Sequence, residues 1–418
     1  MTLTNGHATV LNPTDLNRIP GAVVVAIRML PTHRSPETLA LGGLLALAAA
    51  MGIGRFVYTP ILPFMLEAKS LSAADAGLVA AANFLGYLVG ALAGAARSLP
   101  GNPRTWFLGG LLASALTSAA MAAASELSFF LVIRFASGVA SAFVLVFSTT
   151  LVLERLNVAG RPQLSALHFA GVGCGIAFSA LLIAGLERLG STWQGLWLAS
   201  GVATMLLLLA AARLVPAHAH QNVSQTGEAR PVEADRGFLS GALIRLVLAY
   251  GLFGFGYVIT ATFVSSIART TPDLQASEPF VWLIVGLSAA PSIYLWNMVA
   301  LKTGARRAFA AACVLEAIGV ALTVLTTSPI LFLFGSALLG LTFMGITALG
   351  LMEGRRLASK AGPAAIRQML AVLTASFSLG QVAGPWLAGR LYTVTGSFEL
   401  PSLAAAAALL VAAALVVR

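Results

Sequence analysis

Two arginines stand inside stretches that are otherwise apolar. Arg55 lies in Gly52-Ile53-Gly54-Arg55-Phe56-Val57-Tyr58-Thr59-Pro60, and Arg134 in Phe129-Phe130-Leu131-Val132-Ile133-Arg134-Phe135-Ala136-Ser137-Gly138. A charge at hydrocarbon depth costs at least ~2.5–3.5 kcal/mol even on insertion scales, so an arginine kept there marks a candidate functional site. Guanidinium offers a planar fork of donors that suits a carboxylate or a phosphate. The expected chemistry is therefore anion recognition. Each arginine also has a plainer reading: Arg55 held by helix-end carbonyls, and Arg134 bracing a bundle.

Bond-making chemistry has no comparable signal. The chain holds no Gly-x-Ser-x-Gly, no His-Glu-x-x-His and no paired histidine and acid at ligand spacing within its apolar segments. No enzyme, no metal and no cofactor are expected. No Walker loop is present either, so any work must draw on a gradient and not on ATP.

Uncharged groups of the same segments complete the candidate site. Tyr58, Asn83, Tyr257, Thr260, Thr262 and Gln381 are candidate cavity donors. His168, in a glycine-rich run, is a possible proton or gate residue, since imidazole titrates near neutral pH. Pro60 and Pro63 each remove a backbone donor. They are expected to bend the first segment and free the carbonyls near residues 56 and 59 for the cavity. Gly86, Gly90 and Gly94 repeat every four residues, as do Gly380 and Gly384, the latter followed by Pro385. Small residues at that spacing let helices approach closely, either as fixed packing or as a moving interface. Glu316, the acid well inside a span, reads as a packed or partnered group, which leaves proton coupling through a central carboxylate unsupported.

These residues need a scaffold, and composition says which kind. The chain is 58% hydrophobic and only 10% charged, with a mean hydropathy of +0.89. An ordinary soluble protein is about 25% charged. Lipid must be the solvent. The net charge of +10 sits in short clusters between apolar runs and not in a patch interleaved with aromatics, so nucleic acid is not an expected partner. Two cysteines, both in apolar stretches, exclude a disulfide framework.

A span needs about 20 apolar residues. Such segments fall near 38–66, 73–95, 104–124, 127–153, 163–187 and 193–214, then near 238–268, 279–301, 307–326, 329–352, 364–392 and 399–417. The expected organisation is a cytoplasmic tail over 1–37, a six-helix half over 38–214, a polar connector over 215–237 and a second half over 238–418. Roughly 18 of the 25 Lys and Arg fall on one side, which predicts both termini in the cytoplasm. On that orientation Arg55 lies roughly 15 Å, and Arg134 about 10 Å, below the outer ends of their helices.

The halves also repeat. At an offset of about 202 residues, Gly52 and Gly54 align with Gly254 and Gly256, and the Arg134 segment with Leu331 to Gly340. Two six-span repeats share one orientation, so they are parallel repeats about an axis along the membrane normal, with a ligand site between them near midplane.

Several segments resemble a known family. Arg134-x-x-x-Gly138, together with Gly380-Gln381-x-x-Gly384-Pro385-x-x-x-Gly389, is similar to the major facilitator superfamily. Gly52-x-Gly54-Arg55-Phe56-x-Tyr58-Thr59-Pro60-x-Leu62-Pro63, Ala82-Asn83-Phe84-Leu85-Gly86-Tyr87, His168-Phe169-Ala170-Gly171-Val172-Gly173 and Gly254-Phe255-Gly256-Tyr257 resemble its YbfB/YjiJ-type branch. The resemblance implies an all-α membrane protein of twelve spans, in two parallel-related halves, that moves a solute by alternating access. The acid of the superfamily's loop after the second span is missing around Arg97 and Arg104, and again around Lys302 to Arg307. Glu154 and Glu353 are the candidate substitutes.

The expected function is secondary active transport of a small anionic organic solute. Efflux of amphipathic drugs or metabolites by antiport is the alternative, and a non-transporting solute sensor the remote one. Arginine- and alanine-rich, lysine-poor composition fits a bacterial inner membrane, with the bilayer and a small molecule as partners and a monomer as the unit.

Overall fold

The computed structural model describes residues 35–68, 70–96, 99–216 and 240–417. Nearly all of the expected tail and connector, and Arg97, lie outside the described residues. Everything else is helix and short turn. Eleven helices are long and apolar enough to span a membrane: α1 Pro36–Glu67, α2 Ala73–Gly94, α3 Pro103–Ala123, α4 Leu127–Val158, α5 Pro162–Arg188, α6 Trp193–Leu214, α7 Gly241–Thr270, α9 Ala305–Leu325, α10 Pro329–Ala358, α11 Gly362–Thr395 and α12 Glu399–Val417. A twelfth, α8, is the pair Pro272–Ala289 and Ser292–Thr303, bent by 45°. Pro291 stands at that bend and supplies no N–H to bridge it. The twelve elements coincide with the segments expected from hydropathy, their ends differing by a few residues.

Turn chemistry sets several ends. Ser72 and Asp75 close α2 with a reciprocal capping box. Gly396, at φ +68°, ends α11 in the left-handed conformation that a residue without Cβ adopts freely.

Each half packs on itself, α2 and α3 against α4, α1 against α5 and α6, and correspondingly α7 against α11 and α12. Between the halves, α2 meets α11, α5 meets α8, and α1 meets α7. These pairings exchange when every helix number is shifted by six, which is the signature of a two-fold relation between the halves. Thr59 Oγ1 donates to Ala261 O at 2.6 Å, a contact between residues 202 apart. Glu67 and Arg269, ion-paired at 2.6 Å, are also 202 apart. Equivalent residues of a two-fold repeat touch each other only on the axis, so α1 and α7 flank it.

The first helix is not a continuous α-helix. Residues Ala48–Ile53 are wound as a π-helix, and Gly54 N and Phe56 N bond to Ala49 O and Met51 O, five residues back. Pro60 accounts for the irregular turn beyond it. It has no N–H for Phe56 O, so Thr59 N takes that carbonyl at 3.2 Å and leaves Arg55 O, its ordinary partner, orphaned. The break therefore lies about one turn before the prolines, at 54–57, and the freed carbonyls are those of residues 54 and 55. This corrects the expectation for carbonyl 56, which Thr59 N satisfies.

Candidate functional site

The interrupted part of α1 brings both arginines to one place. Arg55, Phe56, Tyr58 and Thr59 of α1, Ala80 and Phe84 of α2, Arg134 of α4, and Val258, Ala261 and Thr262 of α7 line a cavity between the halves. As the helices stand, the cavity has about 10 Å³, room for roughly one water molecule. Both arginines are buried, at 3% and 2% exposure. Among the described residues no carboxylate pairs with either.

Their donors are spent differently. Arg134 Nη1 donates to Gly54 O at 3.1 Å and Nη2 to Arg55 O at 2.9 Å. Ser137 also donates to Gly54 O, at 3.1 Å. Arg134 thus satisfies the carbonyls that the break in α1 orphans, and its cation lies over the rings of Tyr58 and Trp197 at 5.1 and 5.8 Å. The bracing reading of Arg134 fits this geometry.

Arg55 points the other way, toward the second half. Its Nη2 donates to Gln381 Oε1 of α11 at 3.2 Å, and Nε has no partner. Its guanidinium is enclosed by the faces of Tyr87, Phe84 and Phe56, at 4.1, 4.7 and 5.4 Å. Gln381 Nε2 in turn donates to the Tyr257 hydroxyl of α7. A single polar chain, Arg55–Gln381–Tyr257, therefore joins the halves at the centre of the bundle.

The other expected residues divide. Tyr58 lines the cavity and donates to Ala76 O at 3.0 Å. Thr262 lines it too, its hydroxyl donating to Val258 O at 2.7 Å. Asn83 does not reach the cavity. It is fully buried between α2 and α4, donating to Arg134 O at 3.0 Å. Thr260 is buried without a hydrogen-bonding partner and lies outside the cavity lining.

His168 is fully buried inside the first half. Its Nε2 is 3.4 Å from Ser148 Oγ of α4, and its Nδ1 lies against Gly43 of α1 without a hydrogen bond. These neighbours all belong to the first half. Glu316 is packed as expected but not partnered: it is fully buried and neither carboxyl oxygen is hydrogen-bonded. Glu353 pairs with Arg356 of its own helix at 2.6 Å, and Arg104 donates to Ala212 O and Val215 O at the end of α6. Neither forms the substitute latch expected of it, and among the described residues no ion pair involves Glu154.

The glycines separate by role. A Cβ on Gly86 would overlap the Phe135 carbonyl of α4, and one on Gly90 the α4 backbone at Val139. Gly380 and Gly384 press likewise on α7. All four serve packing within a half. The contacts between halves are made elsewhere: Gly77 against the Pro385 carbonyl, Gly389 against Ala73 O, and Gly286 of α8 against Gly173 and Ala177 of α5. Sequence reasoning missed Gly77 and Gly286, which stand singly and form no stripe.

It missed one charged cluster as well. Arg269 at the end of α7 bonds Glu67 of α1 at 2.6 Å and Glu187 of α5 at 2.9 Å, and lies 3.6 Å from Glu278 at the start of α8. Its guanidinium also covers the Phe64 ring at 4.1 Å. This cluster lies on the face opposite the chain ends and ties one half to the other.

Residues 47–417 match the family model described as "Uncharacterised MFS-type transporter YbfB". The chain belongs to this family. It is a YbfB-type member of the major facilitator superfamily, and its two-half bundle is that superfamily's fold. Crystal structures of the nucleoside transporter NupG superpose on it: an aspartate-to-alanine mutant at a TM-score of 0.70 and 16% identity, over 91% of this chain and 99% of that one. A second NupG structure gives a TM-score of 0.69 and 15% identity, over 92% and 98% of the two chains. At such identity the likeness is one of fold. Azole resistance protein 1 of Saccharomyces cerevisiae is 27% identical over 175 residues, which is 40% of this chain and 28% of that protein. The match thus spans little more than a quarter of the yeast relative's length. A YbfB-type transporter is a multi-pass membrane protein with a small-molecule substrate.

Proposed function

We propose that this transporter moves a small organic anion by alternating access, with Arg55 as the binding cation. The observation that carries this reading is the state of Arg55: buried between the halves, unpaired by any carboxylate of the described residues, with Nε unused. A buried charge without a counter-charge is costly to maintain, and an anionic ligand supplies the missing partner. Arg134 holds the backbone of α1 in the shape that presents Arg55, and Gln381 relays the state of Arg55 to the second half. With both chain ends in the cytoplasm, the Arg269 cluster closes the outer face, so the arrangement is closed to the outside.

Counterflow in proteoliposomes tests this. An anion carried by the wild-type protein is expected to lose at least about tenfold in rate on Arg55→Ala, the cost of roughly 1.4 kcal/mol or more of lost binding. Unchanged transport of every accepted anion by that variant overturns the proposal.

Efflux of amphipathic compounds is the second reading, favoured by the name of the yeast relative and by the aromatic lining of the site. It predicts that removing the protein sensitises cells to such compounds, and that neutral compounds are carried as well as anions.

A further inference from the structure

The polar groups around Arg55 also limit what kind of anion fits. This step rests on the anion reading of Arg55. We infer that the ligand is a flat-bodied organic monoanion, an aromatic or conjugated monocarboxylate, whose carboxylate takes the place on Arg55 that the Gln381 amide oxygen holds in the closed cavity.

The charge follows from counting free cations. Arg134 has both terminal nitrogens on backbone carbonyls of α1, so it has little left to offer a ligand. Nε is idle on both arginines of the cavity lining, but Arg55 has only one terminal nitrogen engaged, and its bond to Gln381 Oε1, at 3.2 Å, is longer than a charge-assisted bond of about 2.7–2.9 Å. A carboxylate oxygen is the stronger acceptor and displaces the amide. A second carboxylate on the same ligand would enter a low-dielectric site with no second free cation.

The body follows from the aromatic rings, of which Phe56, Tyr58 and Phe84 line the cavity and the others stand around or behind them. Three ring faces surround the guanidinium. Phe56 continues to Trp282 of α8 and Phe343 of α10, at centroid distances of 6.4 and 6.2 Å. Phe343, Tyr257 and Phe377 form a nearly parallel stack, tilted by 9° and 3° at successive steps. Flat surfaces of this kind favour a flat partner by offset stacking. The hydroxyls nearby are already engaged: Thr59 with Ala261 O, Thr262 with Val258 O, and Tyr58 with Ala76 O. These oxygens keep lone pairs but have no proton left to donate, so the several oxygens of a polyhydroxylated body would find no free hydroxyl donor among them.

Thermal shift of the purified full chain at pH 7.5 tests the inference with a matched set. Benzoate, cinnamate and 2-naphthoate are the flat monoanions. Benzamide is the neutral isostere, phthalate the dianion, acetate the anion without a ring, and gluconate the hydroxylated monoanion. At least one flat monoanion is expected to stabilise the protein with a half-saturating concentration tenfold or more below those of the four controls. Arg55→Gln is expected to abolish that shift, whereas Arg55→Lys, which keeps the charge, retains part of it. If acetate, phthalate or gluconate matches the flat acids and still depends on Arg55, the flat-monoanion inference falls while the anion site stands. If benzamide matches benzoate and Arg55→Gln changes nothing, the anion site itself falls. Absence of any shift from all three flat acids also overturns the inference.

Discussion

Arg55 and Arg134 share a cavity, yet the structure predicts opposite consequences for their removal. Arg134 satisfies two carbonyls of α1. Gly54 O keeps Ser137 as a donor, and a buried carbonyl left without a partner costs about 1–3 kcal/mol, so Arg134→Gln, which orphans Arg55 O, is expected to destabilise by about 1–3 kcal/mol. Arg55 satisfies no backbone group, and its loss removes a buried charge without an ionic partner. Arg55→Gln is therefore expected to keep the melting temperature while eliminating anion binding. Denaturation monitored in detergent separates the two, and equal destabilisation by both variants contradicts this division. Finding Arg55 needed only the sequence, because a charge amid Gly, Ile, Phe and Val is conspicuous at any register. The employment of Arg134 was not legible. It depends on which carbonyl Pro60 leaves orphaned, a matter of tertiary geometry five residues away and on another helix. Asn83 misled for a related reason: a polar side chain on an apolar helix looks the same whether it faces a cavity or a neighbouring helix.

At the level of elements, close approach divides into contacts that build a half and contacts that join halves. Gly86 and Gly90 belong to the first kind, packing α2 on α4. Gly77 and Gly286 belong to the second, where α2 meets α11 and α8 meets α5. Gly86→Ala is expected to lower stability and yield, since a methyl there collides with the Phe135 carbonyl inside a six-helix unit that must stay packed in every state. Gly77→Ala and Gly286→Ala collide only at the junction of the halves. They are expected to leave each half folded but to bias the protein away from this closed arrangement. Cysteine labelling of the cavity from the two sides of the membrane, combined with melting temperature, measures both effects. A Gly77→Ala protein that melts like wild type and labels like wild type would show the junction to be soft. The four-residue spacing made the packing stripe readable in the sequence. A lone glycine carries no such period, and so the interface between the halves was the less visible of the two.

For the whole molecule, the offset of 202 residues is both a sequence repeat and a physical axis. The twelve spans and the six-plus-six division were legible because apolar length and basic-residue bias are set by the bilayer and not by side-chain detail. The charged tie between the halves on one face was not legible. Glu67, Glu187, Arg269 and Glu278 lie on four helices, and only the folded bundle brings them together. Glu67 and Glu187 belong to one half and Arg269 and Glu278 to the other, so the cluster bears on the relative position of the halves and not on the packing of either. Isolated surface ion pairs contribute little, but one guanidinium shared by three carboxylates cannot lose its cation without leaving like charges together. Arg269→Ala would leave three carboxylates facing one another across the junction, and the halves should separate on that face. Spin labels placed near the ends of α1 and α7 are expected to report a longer distance population in Arg269→Ala than in wild type. Glu67→Gln, which removes one pair but keeps Glu187 and Glu278 on the arginine, should give a smaller shift. High salt should move the wild type in the same direction, because these groups are partly exposed and their attraction is screened within about 8–10 Å at physiological ionic strength and closer above it. Identical distance distributions in all three proteins would mean that the glycine contacts alone hold this face shut, and that the charges merely follow.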